Sequence, residues 1–294
     1  MKKVLITGKS SYIGESLENY LLRCGEYQID TLDMKIPSWR DFDFAKYDTV
    51  FHVAGIAHAD TGHVSEERKN FYYKINTDLA IETAQKARSA GVRQFIFMSS
   101  MIIYGESAPI GKQKVVTRET IPEPANFYGD SKLQADIGTR NLETDDFRVV
   151  VLRPPMIYGR GSRGNYPLLA RFAKKVPLFP KVRNERSMLY IENLCEFVRL
   201  MIENEERGIF FPQNGVFTNT SEMVKTIAET SGRRIWVTSV FNVFLCVMAR
   251  CPGKIGEMIN KVFGSLVYEM SISDYQDNTY RVSGFRESIQ DTEG

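Results

Sequence analysis

The chain has 294 residues, 43% of them hydrophobic, with 38 Lys+Arg set against 36 Asp+Glu. That length can bury one large core or two adjoining ones, and the charge balance leaves no basic field to advertise nucleic acid and no acidic excess to imply disorder. Four cysteines without a C-x-x-C pair, with only His52, His58 and His63 beside them, argue against a zinc site and suit a reducing cytoplasm.

The N-terminus enters a strand pattern at once, through Lys2, Lys3, Val4, Leu5 and Ile6, with no apolar h-region or small-residue cleavage site. The sequence therefore predicts no signal peptide and a cytoplasmic protein. Short runs rich in Val, Ile and Phe predict strands at residues 4–7, 28–33, 49–54, 94–99 and 148–153. Between them, helical periodicity predicts helices at residues 12–24, 66–90 and 128–142. This alternation is the pattern of βαβ units and implies an α/β, Rossmann-like, doubly wound parallel sheet over residues 1–153. After Arg153 the texture changes: prolines 154, 155, 167, 177, 180 and 212 punctuate short helices, and strand-like runs remain only at 208–211 and 234–237. Residues 154–294 read as a smaller C-terminal substrate-binding lobe, with elements returning to the first domain. The apolar run 240–249, interrupted by Asn242, is about half the ~20 residues that span a bilayer. It reads as a core helix, with a membrane-facing or dimer-forming helix as the other reading.

Directly after the first strand, Thr7-Gly8-Lys9-Ser10-Ser11-Tyr12-Ile13-Gly14 opens the first helix, where unpaired N–H groups and the helix dipole can hold a pyrophosphate. Gly8 permits a tight turn and Gly14 close packing of helix on strand. The segment resembles the T-G-x-x-G-x-x-G loop of the extended short-chain dehydrogenases, the sugar-nucleotide epimerase/dehydratase family, with Ser11 at the middle glycine position. The resemblance implies that Gly8, Ser10, Ser11, Tyr12, Ile13 and Gly14 cradle the cofactor. Asp33 ends the second strand about 20 residues on, where a carboxylate accepts hydrogen bonds from an adenosine ribose and repels a 2′-phosphate, favouring NAD over NADP. Residues 48–55, D-T-V-F-H-V-A-G, resemble the family's fourth strand, whose Ala54 and Gly55 pass the cofactor; His52 reads as a core histidine.

Tyr128 and Lys132 share a helix face at i,i+4, a pairing that in a chain with 14 tyrosines arises about once by chance. Context carries the weight. Ser99-Ser100-Met101-Ile102-Ile103-Tyr104-Gly105 lies at the carboxyl end of a predicted strand, the edge at which open α/β sheets bind ligands. It resembles the family's S-S-x-x-x-Y-G segment, so Ser100 matches the catalytic hydroxyl, and Tyr128 and Lys132 match the Y-x-x-x-K acid/base pair. An ammonium at ~4 Å and an effective dielectric of ~20 contributes ~4 kcal/mol, which would bring the Tyr128 phenol about three units down toward neutrality. Lys132 would also bond the nicotinamide ribose while Ser100 holds the substrate hydroxyl.

Family members that eliminate water carry Asp-Glu after the catalytic hydroxyl; Met101 and Ile102 stand there, which argues against a 4,6-dehydratase. Residues 152–159, L-R-P-P-M-I-Y-G, resemble the passage beside the nicotinamide and put Pro155 at the cofactor. Met156 replaces the Asn of the typical galactose epimerase, and the run through Arg160 and Gly161 matches a sugar 4-ketoreductase. Residues 186–194 resemble R-x-x-x-x-V-x-D-L, with Arg186 at the nucleotide diphosphate, where a guanidinium fork suits phosphate oxygens. Substrate contacts then fall to Ser100, Met101, Tyr128 and Arg186. The resemblance implies an NAD-dependent 4-epimerase acting on a UDP-hexose or UDP-N-acetylhexosamine through a transient 4-keto sugar, in surface polysaccharide precursor synthesis. An NAD(P)H-dependent 4-ketoreductase is the alternative, and a non-catalytic NAD(P) sensor the third reading. The expected partner is a nucleotide sugar, with no metal and no nucleic acid, and a homodimer left open.

Overall fold

The computed structural model describes residues 1–56, 64–251 and 253–294. In chain order the first half gives β1 (Lys2–Thr7), α1 (Tyr12–Cys24), β2 (Tyr27–Leu32), β3 (Thr49–His52), α2 (Glu66–Tyr73), α3 (Leu79–Ser89), β4 (Gln94–Met98), β5 (Gln113–Val116), α4 (Phe127–Arg140) and β6 (Arg148–Leu152). There follow β7 (Met156–Tyr158), α5 (Asn165–Lys175), β8 (Leu178–Pro180), β9 (Met188–Tyr190), α6 (Ile191–Glu203), β10 (Gly208–Phe210) and α7 (Thr220–Thr230). The chain closes with β11 (Trp236–Thr238), α8 (Asn242–Ala249), α9 (Lys254–Phe263), β12 (Ser265–Tyr268) and α10 (Phe285–Glu293).

The chain divides into two compact units: residues 1–105, 121–154 and 194–212, and residues 106–120, 155–193 and 213–294. The expected boundary at 153 is thus crossed twice. Residues 106–120 belong to the second unit because β5 pairs in parallel with β12, Val115 opposite Val267. Residues 208–210 return to the first, where β10 adds an edge to β6, Ile209 opposite Val151.

The first unit is a six-stranded sheet of order β10-β6-β4-β3-β1-β2, with every neighbouring pair parallel. Strands β3 and β4 are buried along their whole length, which is why their sequences run apolar instead of alternating. Small faces let the helices close in: Ala80, Ala84 and Ala87 of α3 and Ala135 of α4 join Val50, Phe95, Phe97 and Val151 of the sheet in one core. Chain order reverses at β1, which has β2 on one side and β3 on the other, so the crevice beyond Thr7 and His52 is the topological switch point. Thr7 Oγ1 and His52 Nδ1 lie 2.8 Å apart across it. His52 is fully buried between the Phe95 and Phe97 rings, and burial pulls its pKa down to about 3. It is a core histidine.

Residues 66–90 are not one α-helix. Between α2 and α3 a π-helical turn, Lys74–Asp78, inserts extra backbone, a distortion that concentrates at functional sites.

In the second unit β7 pairs with β9 and β8 with β11. Tyr158 anchors a buried polar knot: its hydroxyl meets Ser288 Oγ at 2.7 Å and accepts from Asn214 Nδ2 at 3.0 Å, and its ring stacks on Tyr166. The apolar run 240–249 does form a helix, α8, but not the core helix expected of it, for no residue of α8 is buried. No helix among the described residues is long and apolar enough to cross a membrane.

Candidate active site

The loop after β1 is fixed by backbone constraints that the side chains satisfy. Gly8 sits at φ 114°, and a Cβ there would meet the Ala54 nitrogen at 2.9 Å, so glycine is required for both conformation and space. The Gly8 and Lys9 N–H groups both donate to the Leu32 carbonyl, at 2.9 and 3.2 Å, tying the loop to the end of β2 where Asp33 follows. Ser10 adopts φ 63°. Ser11 is the N-cap of α1, its hydroxyl accepting from Gly14 N at 3.1 Å. A side chain at the middle glycine position is therefore used, closing the turn at the start of α1. Asp33 Oδ1 accepts from Lys35 N at 2.9 Å, which orients the carboxylate.

Beyond β3 the chain passes Ala54 and Gly55. A Cβ on Gly55 would stand 3.0 Å from Asn76 Oδ1 and 3.3 Å from Lys132 Nζ, so this glycine lets both groups reach the backbone. Asn76, in the π-turn and 1% exposed, accepts from Ile56 N at 2.8 Å and donates to Ser131 Oγ at 3.1 Å; Ser131 Oγ in turn donates to the Tyr128 carbonyl at 2.8 Å. One amide thus clamps the segment after β3 to the first turns of α4. Sequence reasoning missed Asn76; its signal would have been a polar residue facing inward from a helix otherwise rich in alanine.

Asn126 caps α4 by accepting from Gly129 N at 2.9 Å, which sets Tyr128 in the first turn and Lys132 one turn on. Lys132 is 7% exposed; its ammonium donates to the Met98 carbonyl at 3.1 Å and lies 5.3 Å from the centre of the Phe97 ring. Burial lowers its pKa to about 8. The Tyr128 phenol is pushed up to about 12, by burial first and then by the neighbouring Tyr72. The expected depression toward neutrality is therefore absent from this chain: the ammonium is held at the end of β4 and the phenol is desolvated, so desolvation wins.

Ser100 follows β4 with extended backbone, its Oγ accepting from Ile102 N at 3.3 Å. A buried ion pair fixes this strand end. Asp136 of α4 is fully buried, takes two bonds from Arg153, Nε at 2.8 Å and Nη2 at 2.9 Å, and accepts from Ser99 Oγ at 3.0 Å. Arg153 Nη1 also donates to the Tyr104 hydroxyl at 2.7 Å. Met101 is buried, 6% exposed, and its N–H donates to the Pro154 carbonyl at 2.8 Å. The first unit thus brings Gly8, Ser10, Ser11, Tyr12, Ile13, Gly14, Asp33, Ala54, Gly55, Ser100, Met101, Tyr128 and Lys132 to the carboxyl side of one sheet. Pro155 and Arg186 are carried by the second unit. There Arg186 Nη1 donates to the Lys261 carbonyl, and burial lowers the guanidinium pKa.

Residues 4–210 match the model of the NAD dependent epimerase/dehydratase family. The chain belongs to that family. A UDP-glucose 4-epimerase of Vibrio cholerae is 26% identical over 292 residues, 92% of this chain and 88% of that protein. An N-acetyl-alpha-D-glucosaminyl-diphospho-ditrans,octacis-undecaprenol 4-epimerase of Escherichia coli O157:H7 is 26% identical over 255 residues, 79% and 73% of the two chains. Among solved structures, dTDP-4-dehydrorhamnose reductase of Bacillus anthracis in complex with NADP superposes with a TM-score of 0.73 at 16% identity, covering 99% of this chain and 98% of that one, a likeness of fold. In this member of the family Ser100, Tyr128 and Lys132 lie on the carboxyl side of one sheet, and Ser11 in the loop after β1 serves as a helix cap.

Proposed function

We propose that this family member is an NAD-dependent 4-epimerase of a nucleotide-linked hexose or N-acetylhexosamine. The observation that carries the reading is the convergence of Ser100, Tyr128 and Lys132 on the edge that also presents the Gly8–Gly14 loop, in a chain aligned over nearly its whole length with a UDP-glucose 4-epimerase. The cradle fits a dinucleotide: Gly8 has no room for a Cβ, the dipole of α1 favours an anion at its N-terminus, and the Asp33 carboxylate at the end of β2 suits a ribose without a 2′-phosphate. Bound NAD would supply the hydride acceptor and donor. Lys132 would hold the nicotinamide ribose, and Ser100 would accept and orient the sugar hydroxyl. With the positive charge of oxidised NAD bringing its phenol down from about 12, Tyr128 would take the O4 proton as the C4–H bond breaks and give it back once the 4-keto sugar has turned its other face, so that no net redox occurs. Arg186 and its fork of N–H donors suit the diphosphate.

A 4-ketoreductase is favoured by one specific observation: Met156 stands where the typical galactose epimerase has Asn, within an Arg153-Pro154-Pro155 run. The two readings separate in one experiment. The purified protein is denatured and assayed for released NAD, while fresh enzyme is given UDP-glucose, UDP-N-acetylglucosamine and their 4-keto derivatives. Retained NAD with interconversion of 4-epimers supports the epimerase; an empty site with consumption of NAD(P)H by the keto sugar overturns it in favour of the reductase.

A further inference from the structure

Val243, Phe244 and Val247 of α8 share one helix face at i, i+1 and i+4, yet with Val240 in the turn before them they are 77, 63, 55 and 78% exposed. Trp236 on β11 is 76% exposed, and Ile255 and Met258, three apart on α9, are 53 and 61% exposed. This is a contiguous stretch of sequence carrying its apolar side chains outward, not scattered surface residues. The scaffold beneath is built: Asn260 Nδ2 donates to the Ala249 carbonyl at 3.0 Å, joining α9 to α8, and Asn242 Nδ2 donates to the Lys181 carbonyl at 2.7 Å, fixing α8 beside β8.

The charge around this face is one-sided. Lys181 N donates to the Thr238 carbonyl and Arg233 bonds the Lys174 carbonyl, so residues 174–181 run alongside 233–238, the strand that leads into α8. Taken through the end of α9, residues 171–183 and 231–263 contain ten basic residues and one acidic, Glu257, in a chain whose net charge is only +2. Lys174 pairs with Glu293; Arg171, Lys175, Lys181, Arg183, Arg234 and Arg250 are exposed. A second copy docking through the same patch in a two-fold contact would set these cations against each other. An anionic bilayer surface answers both features at once, taking the apolar side chains below the headgroups and the basic rim among them.

We infer that the β11–α8–α9 segment is a membrane-surface anchor, lying on an anionic bilayer without spanning it. The anchor stands apart from the 4-epimerase reading, and its test needs no substrate. The full chain is floated with phosphatidylcholine vesicles containing about 30% phosphatidylglycerol, and with vesicles of phosphatidylcholine alone. The anchor predicts salt-sensitive binding to the anionic vesicles and a blue shift of Trp236 emission, Trp39 being buried at 2% and contributing a constant background. Each cation near such a surface is worth about fivefold in partitioning, so Arg234→Gln with Arg250→Gln should weaken binding roughly 25-fold. Val243→Asp with Phe244→Asp, both exposed, should abolish it while leaving the melting temperature of the chain unchanged. No flotation on anionic vesicles overturns the inference, whether the chain is then a monomer or a dimer that Phe244→Asp dissociates. Binding that survives the Val243→Asp, Phe244→Asp pair overturns it as well.

Discussion

Replacing Asn76 with Ala tests whether the π-turn between α2 and α3 is part of the site. Asn76 is 1% exposed and holds Ile56 N at 2.8 Å, the Ile56 carbonyl at 3.3 Å and Ser131 Oγ at 3.1 Å. Ala removes all three, and each buried group left without a partner costs about 1–3 kcal/mol; the 3.3 Å bond is weak and the serine hydroxyl keeps its bond to the Tyr128 carbonyl. The sum expected is about 2–4 kcal/mol, read as a lowered denaturant midpoint at unchanged slope. The Ile56 segment would also be released from α4, so NAD affinity measured by calorimetry should fall together with stability. A double-mutant cycle with Ser131→Ala separates the two strands of the argument: residues in direct contact should couple by about 0.5–3 kcal/mol. A change within ±0.5 kcal/mol, unaltered NAD affinity, or strictly additive effects would refute the clamp.

Four further outcomes follow from the geometry. Asp136→Ala leaves the Arg153 guanidinium, 5% exposed, buried without its carboxylate, and should cost about 3–5 kcal/mol in chemical denaturation. Gly8→Ala, strained at φ 114° and pressed on the Ala54 nitrogen, should abolish retention of NAD through gel filtration while the fold persists by circular dichroism. Because burial lowers the folded Lys132 pKa to about 8 from 10.5, the unfolded chain binds the proton more tightly. Stability should therefore rise with pH through that window, by about 3 kcal/mol in all, and Lys132→Met should flatten the rise between pH 8 and 10.5. Tyr128→Phe should lower turnover by about 10²–10⁴ without loss of NAD, and the near-ultraviolet phenolate signal it removes from the cofactor-free protein should titrate only near pH 12.

Much of the first unit was legible because parallel strands buried on both faces must run apolar and the loop at the switch point needs Gly8. The strands β1, β3, β4 and β6 fall where Val, Ile and Phe cluster. The i,i+4 spacing placed Tyr128 and Lys132 on one face, but spacing says nothing of where a long side chain ends: the ammonium went to the Met98 carbonyl, and the phenol was left to desolvation. Asn76 was missed because a π-turn breaks the 3.6-residue period that would have shown it facing inward. The α8 run was misread for the converse reason. Its period is that of a core face, and periodicity identifies an apolar stripe without saying what covers it. Residues 106–120 left the first unit through a pairing with β12 some 150 residues away, which no local pattern announces.

The central claim, that Tyr128 and its neighbours support reversible oxidation at C4, is tested most directly by isotope. The holoenzyme is incubated with UDP-glucose carrying deuterium at C4, and with the corresponding UDP-N-acetylhexosamine, and the 4-epimer is examined by mass spectrometry and NMR. The account predicts an epimer that keeps the deuterium at C4, with no exchange into solvent and no net change in NAD(P)H. Loss of the label to water, or an epimer formed equally well by Tyr128→Phe, would contradict it.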